Sequence, residues 1–237
     1  MARTWIRQAH RWLGLIFSLS VLMSAGSGVL HNVMTRTQAP PPPARPSGGG
    51  LAPEKIKVPV ADALSHLPTA SGAGVQAVNL RGIGGEPWYQ VYVAGQPAAQ
   101  YVSAVDGRVD TAQDERYATE IAAAFLGGAS VRKAGYLTAF NSEYINIFRV
   151  LPAYRFEMDD ARHTRVYVST TTGSVTRHTD DERQFEANVF TNFHKLGFIP
   201  NKDARDLALT ILTFGTFLVS LFGIALFFLT RRKGKLA

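Results

Sequence analysis

Two uncharged apolar runs, one near each end, constrain this 237-residue chain more than any other feature. Leu13–Leu30 reads LGLIFSLSVLMSAGSGVL, and Leu207–Leu229 reads LALTILTFGTFLVSLFGIALFFL. As helices they extend ~27 and ~34 Å at 1.5 Å per residue, about the hydrocarbon thickness of a bilayer. The second run reads as a membrane span. The first reads as an anchor flanked by the interfacial residues Trp5 and Trp12. A cleaved signal peptide is the rival reading, because a basic start, an apolar run and the small residues Ser24–Gly28 fit that pattern too.

The placement of charge supports the membrane reading. Every acidic residue lies between Glu54 and Asp206. Outside the runs stand Arg3, Arg7 and Arg11 at one end and Arg231, Arg232, Lys233 and Lys235 at the other, and these seven cations equal the whole net charge of +7. The basic pI is therefore no sign of nucleic-acid binding. The positive-inside rule puts both termini in the cytoplasm. The segment from about Met34 to Asp206 then lies across an inner (cytoplasmic) membrane, periplasmic in a cell with two membranes and extracellular otherwise. With no cysteine in the chain, disulfides, thiol catalysis, zinc-thiolate sites and Cys-ligated iron–sulfur clusters are excluded.

Between the spans the pattern predicts an α+β domain. Residues 1–34 are the N-terminus and first span, and 35–54 form a Pro-then-Gly linker without apolar periodicity, stiff and then flexible. Residues 55–112 and 113–182 read as two copies of one unit. Each has a helical run (Val60–Leu67; Tyr117–Leu126), a first strand (Val75–Leu80; about Lys133–Leu137), a Pro-led alternating strand (Pro87–Val93; Pro152–Met158) and a last hairpin. The hairpin turns on Asp106-Gly107 in one copy and Thr172-Gly173 in the other, where glycine tolerates positive φ. Helix on antiparallel sheet, in tandem, is the expected fold. Residues 183–200 read as an interfacial helix with Phe185, Val189, Phe193 and Leu196 on its apolar face, broken by Gly197 and Pro200. Residues 201–237 are the second span and its basic tail.

These tandem units, with aromatic-Val-x-x-x-x-Gly-x-Val after a Pro-led strand, resemble PepSY domains. His10-Arg-Trp-Leu-Gly-Leu15 entering the first span resembles the opening of PepSY-associated transmembrane proteins. Leu151-Pro-Ala-Tyr-Arg-Phe-Glu-Met-Asp-Asp160, Thr172-Gly173 and Asn192-Phe-His-Lys-Leu-Gly-Phe198 resemble their later blocks. The resemblance covers nearly the whole chain except the linker. It implies membrane haem proteins linked to the reduction of ferric siderophores, with haem b as the cofactor. Larger relatives carry four spans and this chain has two, so a four-helix site needs a homodimer or a partner membrane subunit.

The histidines are the residues through which that chemistry would run. No pair among the six has metalloprotease spacing, and no Gly-rich phosphate loop is present. Ser24–Gly28 lies within an apolar helix, where small residues serve packing. His31, just past the first run, shares a face with Gly28, Ser27, Ser24 and Ser20, while Thr213, Thr216, Ser220 and Gly223 stripe the second span; the two stripes are expected to face each other. An interfacial helix puts His194 at the level of His31. Two neutral imidazoles from different segments are what a six-coordinate haem iron requires, so His31 and His194 are the candidate axial ligands. The alternative is that each is an amphipathic residue at the water boundary. His10, ~31 Å from His31 along one helix, is a third cofactor candidate and needs a partner from another chain. His66, His163 and His178 are expected to be solvated. The pairs Asp159-Asp160 and Asp180-Asp181-Glu182 read as solvated loops rather than cation sites. Tyr144, Tyr154 and Tyr167 with Arg149 and Arg155 read as strand packing or as a surface for an anionic chelate.

Three functions remain open at this point. The first is a haem protein passing electrons outward to a ferric chelate, an oxidoreductase if the transfer is catalytic. The second is a membrane-tethered binding or inhibitory module acting on a periplasmic protein, as PepSY-like domains in peptidase propeptides suggest. The third is an accessory subunit of an uptake system. Lipid is a partner in all three, and nucleic acid in none.

Overall fold

A computed structural model describes residues 2–38, 50–67, 74–147 and 150–230. In chain order it contains α1 (Ala2–Thr37), a 3₁₀ turn (Pro53–Lys55), α2 (Val60–Ser65), β1 (Val75–Ile83), β2 (Glu86–Val93), β3 (Gln100–Ser103), α3 (Gln113–Phe125), β4 (Arg132–Leu137), β5 (Ala153–Glu157), β6 (Arg165–Ser169), β7 (Ser174–Thr179), α4 (Asp181–Val189), a π-helical turn (Phe190–His194) and α5 (Lys202–Thr230). The chain divides into two units, residues 1–39 with 183–237, and residues 40–182. Most of the linker expected at 35–54 lies outside the described residues.

In the first unit α1 and α5 pair antiparallel. The edge of Trp5 meets Phe222 at 5.8 Å, Gly14 lies beside Val219, and Phe17 covers Gly215. The contact at Gly215 has no room for a side chain: a Cβ there would stand 2.1 Å from the Phe17 ring. Small residues allow such close helix approach in a bilayer, where packing rather than the hydrophobic effect joins helices. The outward faces are apolar, with Leu15, Leu19, Leu22, Phe214, Phe217 and Phe228 exposed. Both helices are long and apolar enough to cross a membrane. The helix outruns the first apolar run, so His31 sits within α1 rather than past its end.

The second unit is α+β with two antiparallel sheets, a three-stranded meander β1-β2-β3 and a four-stranded meander β4-β5-β6-β7. Alternation sets the register: Val78 and Leu80 stand opposite Val91 and Tyr89, Gln90 opposite Tyr101, and Tyr154 opposite Val168. The two expected turn glycines hold positive φ, 78° at Gly107 and 64° at Gly173. Gly173 is also pressed by its surroundings, since a Cβ would lie 2.6 Å from the Tyr117 hydroxyl.

The helices do not cover the sheets one apiece. Tyr117, Ala118, Ile121 and Ala122 of α3 share one core with Ile83, Trp88 and Tyr101 of the first sheet and with Tyr154, Phe156, Val166 and Val168 of the second. Ala63 of α2, with Leu67, covers Tyr89, Val91, Val93 and Val102. Burying each large side chain stabilises by ~1.5–3 kcal/mol. A polar thread runs through the shared core. Gln90 Nε2 donates to Tyr101 Oη and to the Thr170 carbonyl, and Tyr101 and Tyr154 donate to the two oxygens of Asp114. Burial, and then the adjacent carboxylate, push both tyrosine hydroxyls well above their ordinary range.

Candidate functional site

The helical stretch expected from 183 onward begins at Asp181 and changes character at Phe190. Five residues from Phe190 to His194 form a π-helical turn, a wide turn that recurs at functional sites. It closes on Leu196, whose φ of 51° is unusual for a branched residue and whose side chain is buried. Gly197 was the expected breaker, yet its role is close approach. Its N–H donates to the Thr191 carbonyl at 2.9 Å, and a Cβ would stand 2.6 Å from Thr191 Cγ2.

That turn brings His194 to α1. His194 Nδ1 lies 3.2 Å from Ser24 Oγ and 3.3 Å from the Ser24 carbonyl, with Ser27 Oγ at 3.5 Å. His31 Nδ1 lies 2.5 Å from Glu186 Oε1 on α4. His10 Nδ1 lies 3.0 Å from the Val219 carbonyl on α5, with its ring beside Gly223. Carbonyl and carboxylate oxygens only accept, so in all three rings Nδ1 carries the proton and the neutral ring has its lone pair at Nε2. Fixing one ring nitrogen on a protein acceptor while the other stays available is how ligating histidines are commonly oriented.

Between the two membrane-length helices and the π turn lies a cleft of about 600 Å³. Ser20 and Ser24 line it from α1, Thr213 and Thr216 from α5, and His194 from the turn, within an otherwise apolar wall that includes Phe193 and Phe198. The two predicted stripes thus meet in part: Ser20 and Ser24 share the cleft with Thr213 and Thr216, while Gly223 serves His10 instead. A concave, mostly apolar space with a few convergent polar groups is the usual form of a small-molecule site, and this volume falls in the usual range.

His194 and His31 are brought near each other but not face to face. His194 reaches α1 at Ser24, about 10 Å along the helix from His31. The ring of Phe190 stacks on His194 at 4.5 Å and 12°, and touches His31 at 4.9 Å and 38°. His194 lines the cleft; Phe190 and His31 do not. Neither Glu186 nor Phe190 stood out in the sequence. The Phe190–His194 spacing of four is the only signal that could have paired those two.

The histidines of the sheet unit are more engaged than expected. His66 Nδ1 donates to the Gly107 carbonyl at 2.6 Å. His178 belongs to β7 rather than a turn, and its ring lies 5.6 Å from Phe125. His163 is exposed, as expected, but pairs with Asp181 at 2.6 Å, and that carboxylate raises its pKa. One member of each acidic cluster is engaged: Asp160 accepts from the Thr164 N–H and hydroxyl, and Asp181 from His163 and Arg165. Among the described residues no group of three or more His, Asp or Glu is placed to hold a metal ion. Tyr144, Tyr154 and Tyr167 are buried, so strand packing is their role; Arg149 lies outside the described residues.

Comparison with protein-family models, with curated proteins and with solved structures returned no match for this chain.

Proposed function

We propose that this chain is a two-span protein of the inner membrane that binds haem in its helix pair and serves iron metabolism, passing electrons outward toward a ferric chelate. The observation that carries this reading is the shared state of His10, His31 and His194, each held through Nδ1 by a protein acceptor, with His194 on the 600 Å³ cleft. The residues present fit a haem at His194: an apolar enclosure, a fixed imidazole, and hydroxyls of Ser20, Ser24, Thr213 and Thr216 for the polar edge of a flat ligand. A haem bound there supplies one-electron redox chemistry. The protein's own part is to fix the imidazole through Ser24, exclude water with Phe193 and Phe198, and keep the ligand at one end of the helix pair. His10, at the other end, supplies one imidazole toward a second site, completed by another copy or subunit.

In this reading the sheet unit is a tandem PepSY-like domain on the periplasmic or extracellular side, with both termini cytoplasmic. The cationic flanks support that orientation, and the pairing of α1 with α5 favours a retained anchor over a cleaved signal. The deciding experiment is an optical spectrum of the detergent-purified chain, oxidised and then dithionite-reduced. Haem bands that are lost in His194→Ala support the reading. A folded chain that takes up no haem overturns it and leaves a membrane-tethered binding module.

A further inference from the structure

We propose that the loop between β4 and β5 rests on lipid, with Phe140 and Ile147 entering the headgroup region of the bilayer that the helix pair spans. This depends on the two-span reading above and is independent of haem. From Ala134 to Ile147 the sequence holds one charged residue, Glu143, and the fold withdraws it. Glu143 accepts from Arg165 Nε at 3.1 Å and from the Tyr167 hydroxyl, with Arg155 Nε at 3.7 Å. The outward side chains are left uncharged: Phe140 is 42% and Ile147 43% exposed, with exposed Asn141, Ser142 and Asn146 between them. The loop is pinned in this form. The Asn141 carboxamide oxygen accepts from the Glu143 and Tyr144 N–H groups, the Tyr144 hydroxyl donates to the Val150 carbonyl at 2.9 Å, and Phe140 stacks on the Tyr144 ring at 5.9 Å and 22°. An aromatic and an aliphatic side chain held outward among small uncharged ones suit a bilayer interface. The hairpin ends of the first sheet instead carry the exposed ion pairs of Arg108 with Glu86 and Asp106. The route of the chain selects lipid as the occupant. Arg165, which holds the loop through Glu143, also donates to Asp181 at 2.7 Å. Asp181 is the first residue of α4; the sheet unit ends at Glu182, and the helix unit begins at Arg183 within the same helix. The loop is thus fastened to the point where the chain leaves for its second membrane-length helix.

The test uses the full chain in phosphatidylcholine nanodiscs. The chain has no cysteine, so Phe140→Cys and Ile147→Cys can each carry a single environment-sensitive fluorophore. Phe217→Cys, at an exposed position of α5, and Ser65→Cys, at an exposed position of α2, are the lipid and water references. Quenching is read with tail-brominated phosphatidylcholine and with aqueous iodide. The expected result at Phe140→Cys and Ile147→Cys is a blue-shifted emission that brominated lipid quenches, as at Phe217→Cys, while Ser65→Cys responds to iodide alone. Adding Phe140→Asp to the labelled Ile147→Cys chain abolishes its lipid quenching; quenching that persists shows that the fluorophore inserts rather than the loop, and overturns the proposal. Loop labels that respond like Ser65→Cys overturn the lipid contact while leaving the two spans intact. Loop labels shielded from both quenchers mark a protein on the loop and overturn it as well. Iodide quenching at Phe217→Cys overturns the two-span reading itself.

Discussion

Replacing Asp114 with alanine should cost the sheet unit ~3–6 kcal/mol, because one carboxylate on α3 holds both sheets. Asp114 is only 6% exposed, and its two oxygens accept from Tyr101 Oη at 2.7 Å and Tyr154 Oη at 2.9 Å. Tyr101 belongs to β3 and Tyr154 to β5, in different sheets. A hydrogen bond to an ionised acceptor contributes ~1.5–3 kcal/mol, and truncation leaves two buried hydroxyls without their acceptor. The loss would be a large share of the ~5–15 kcal/mol that stabilises an ordinary domain. Tyr101→Phe and Tyr154→Phe should each cost ~1.5–3 kcal/mol. Since both hydroxyls share one carboxylate, the effects of the three substitutions cannot add. In an Asp114→Ala background Tyr154→Phe should cost less than ~0.5 kcal/mol, while Tyr101→Phe keeps only the cost of the bond its hydroxyl accepts from Gln90. The assay is urea unfolding of the full chain in detergent, with amide exchange of β3 and β5 as the local readout. An Asp114→Ala loss under ~1 kcal/mol, or a Tyr101→Phe cost that is the same with and without Asp114, would refute the shared clamp. The same geometry predicts a pH effect. Both tyrosine pKa values are raised in the folded chain above their ordinary 10.0. Their contribution is therefore complete below pH 10 and declines above it, as the unfolded chain ionises and the folded one does not.

The helix pair and the exposed ion pair give two further tests. The chain has no cysteine, so Gly14→Cys with Val219→Cys should crosslink α1 to α5 on oxidation, and adding Gly215→Phe should abolish the crosslink by colliding with Phe17; an undiminished crosslink in the triple variant would show that the Gly215 contact does not set the pairing. His163 should titrate in NMR above its ordinary 6.5 and return toward it in Asp181→Asn. Asp181 is shifted down by the same contact, so the link is whole between the ordinary carboxylate range and 6.5, weakening as pH rises through the raised histidine pKa or falls through the lowered aspartate pKa; a His163 midpoint unmoved by Asp181→Asn would remove the pair from consideration.

Much of the fold was legible because its signals are local. Uncharged length marked both membrane-length helices, period-two alternation marked β2, β5 and β6, and the glycines after Asp106 and Thr172 marked the turns. The sharing of α3 between sheets was not legible, since Tyr117, Ile121 and Asp114 would read the same in a helix covering a single sheet. The site was half legible. His10, His31 and His194 stood out by residue type and position, but the serine stripe reads in sequence as the face of His31, whereas Ser24 meets His194. Phe190 did not stand out, because it begins the π turn, a backbone irregularity with no composition signature, and Glu186 did not, because it meets His31 across 155 positions of sequence. His194 closes that turn and meets α1 at Ser24 rather than level with His31.

The hydrogen bond from His10 to the Val219 carbonyl spans 209 positions of sequence, and that separation is also a delay. A ribosome adding ~5–20 residues per second needs roughly 10–40 s to make the intervening chain. For that interval α1 exists without its partner, its histidine unmatched and its Gly14 face bare, while the whole sheet unit is made. The helix pair is the first part of the molecule to be begun and the last to be complete.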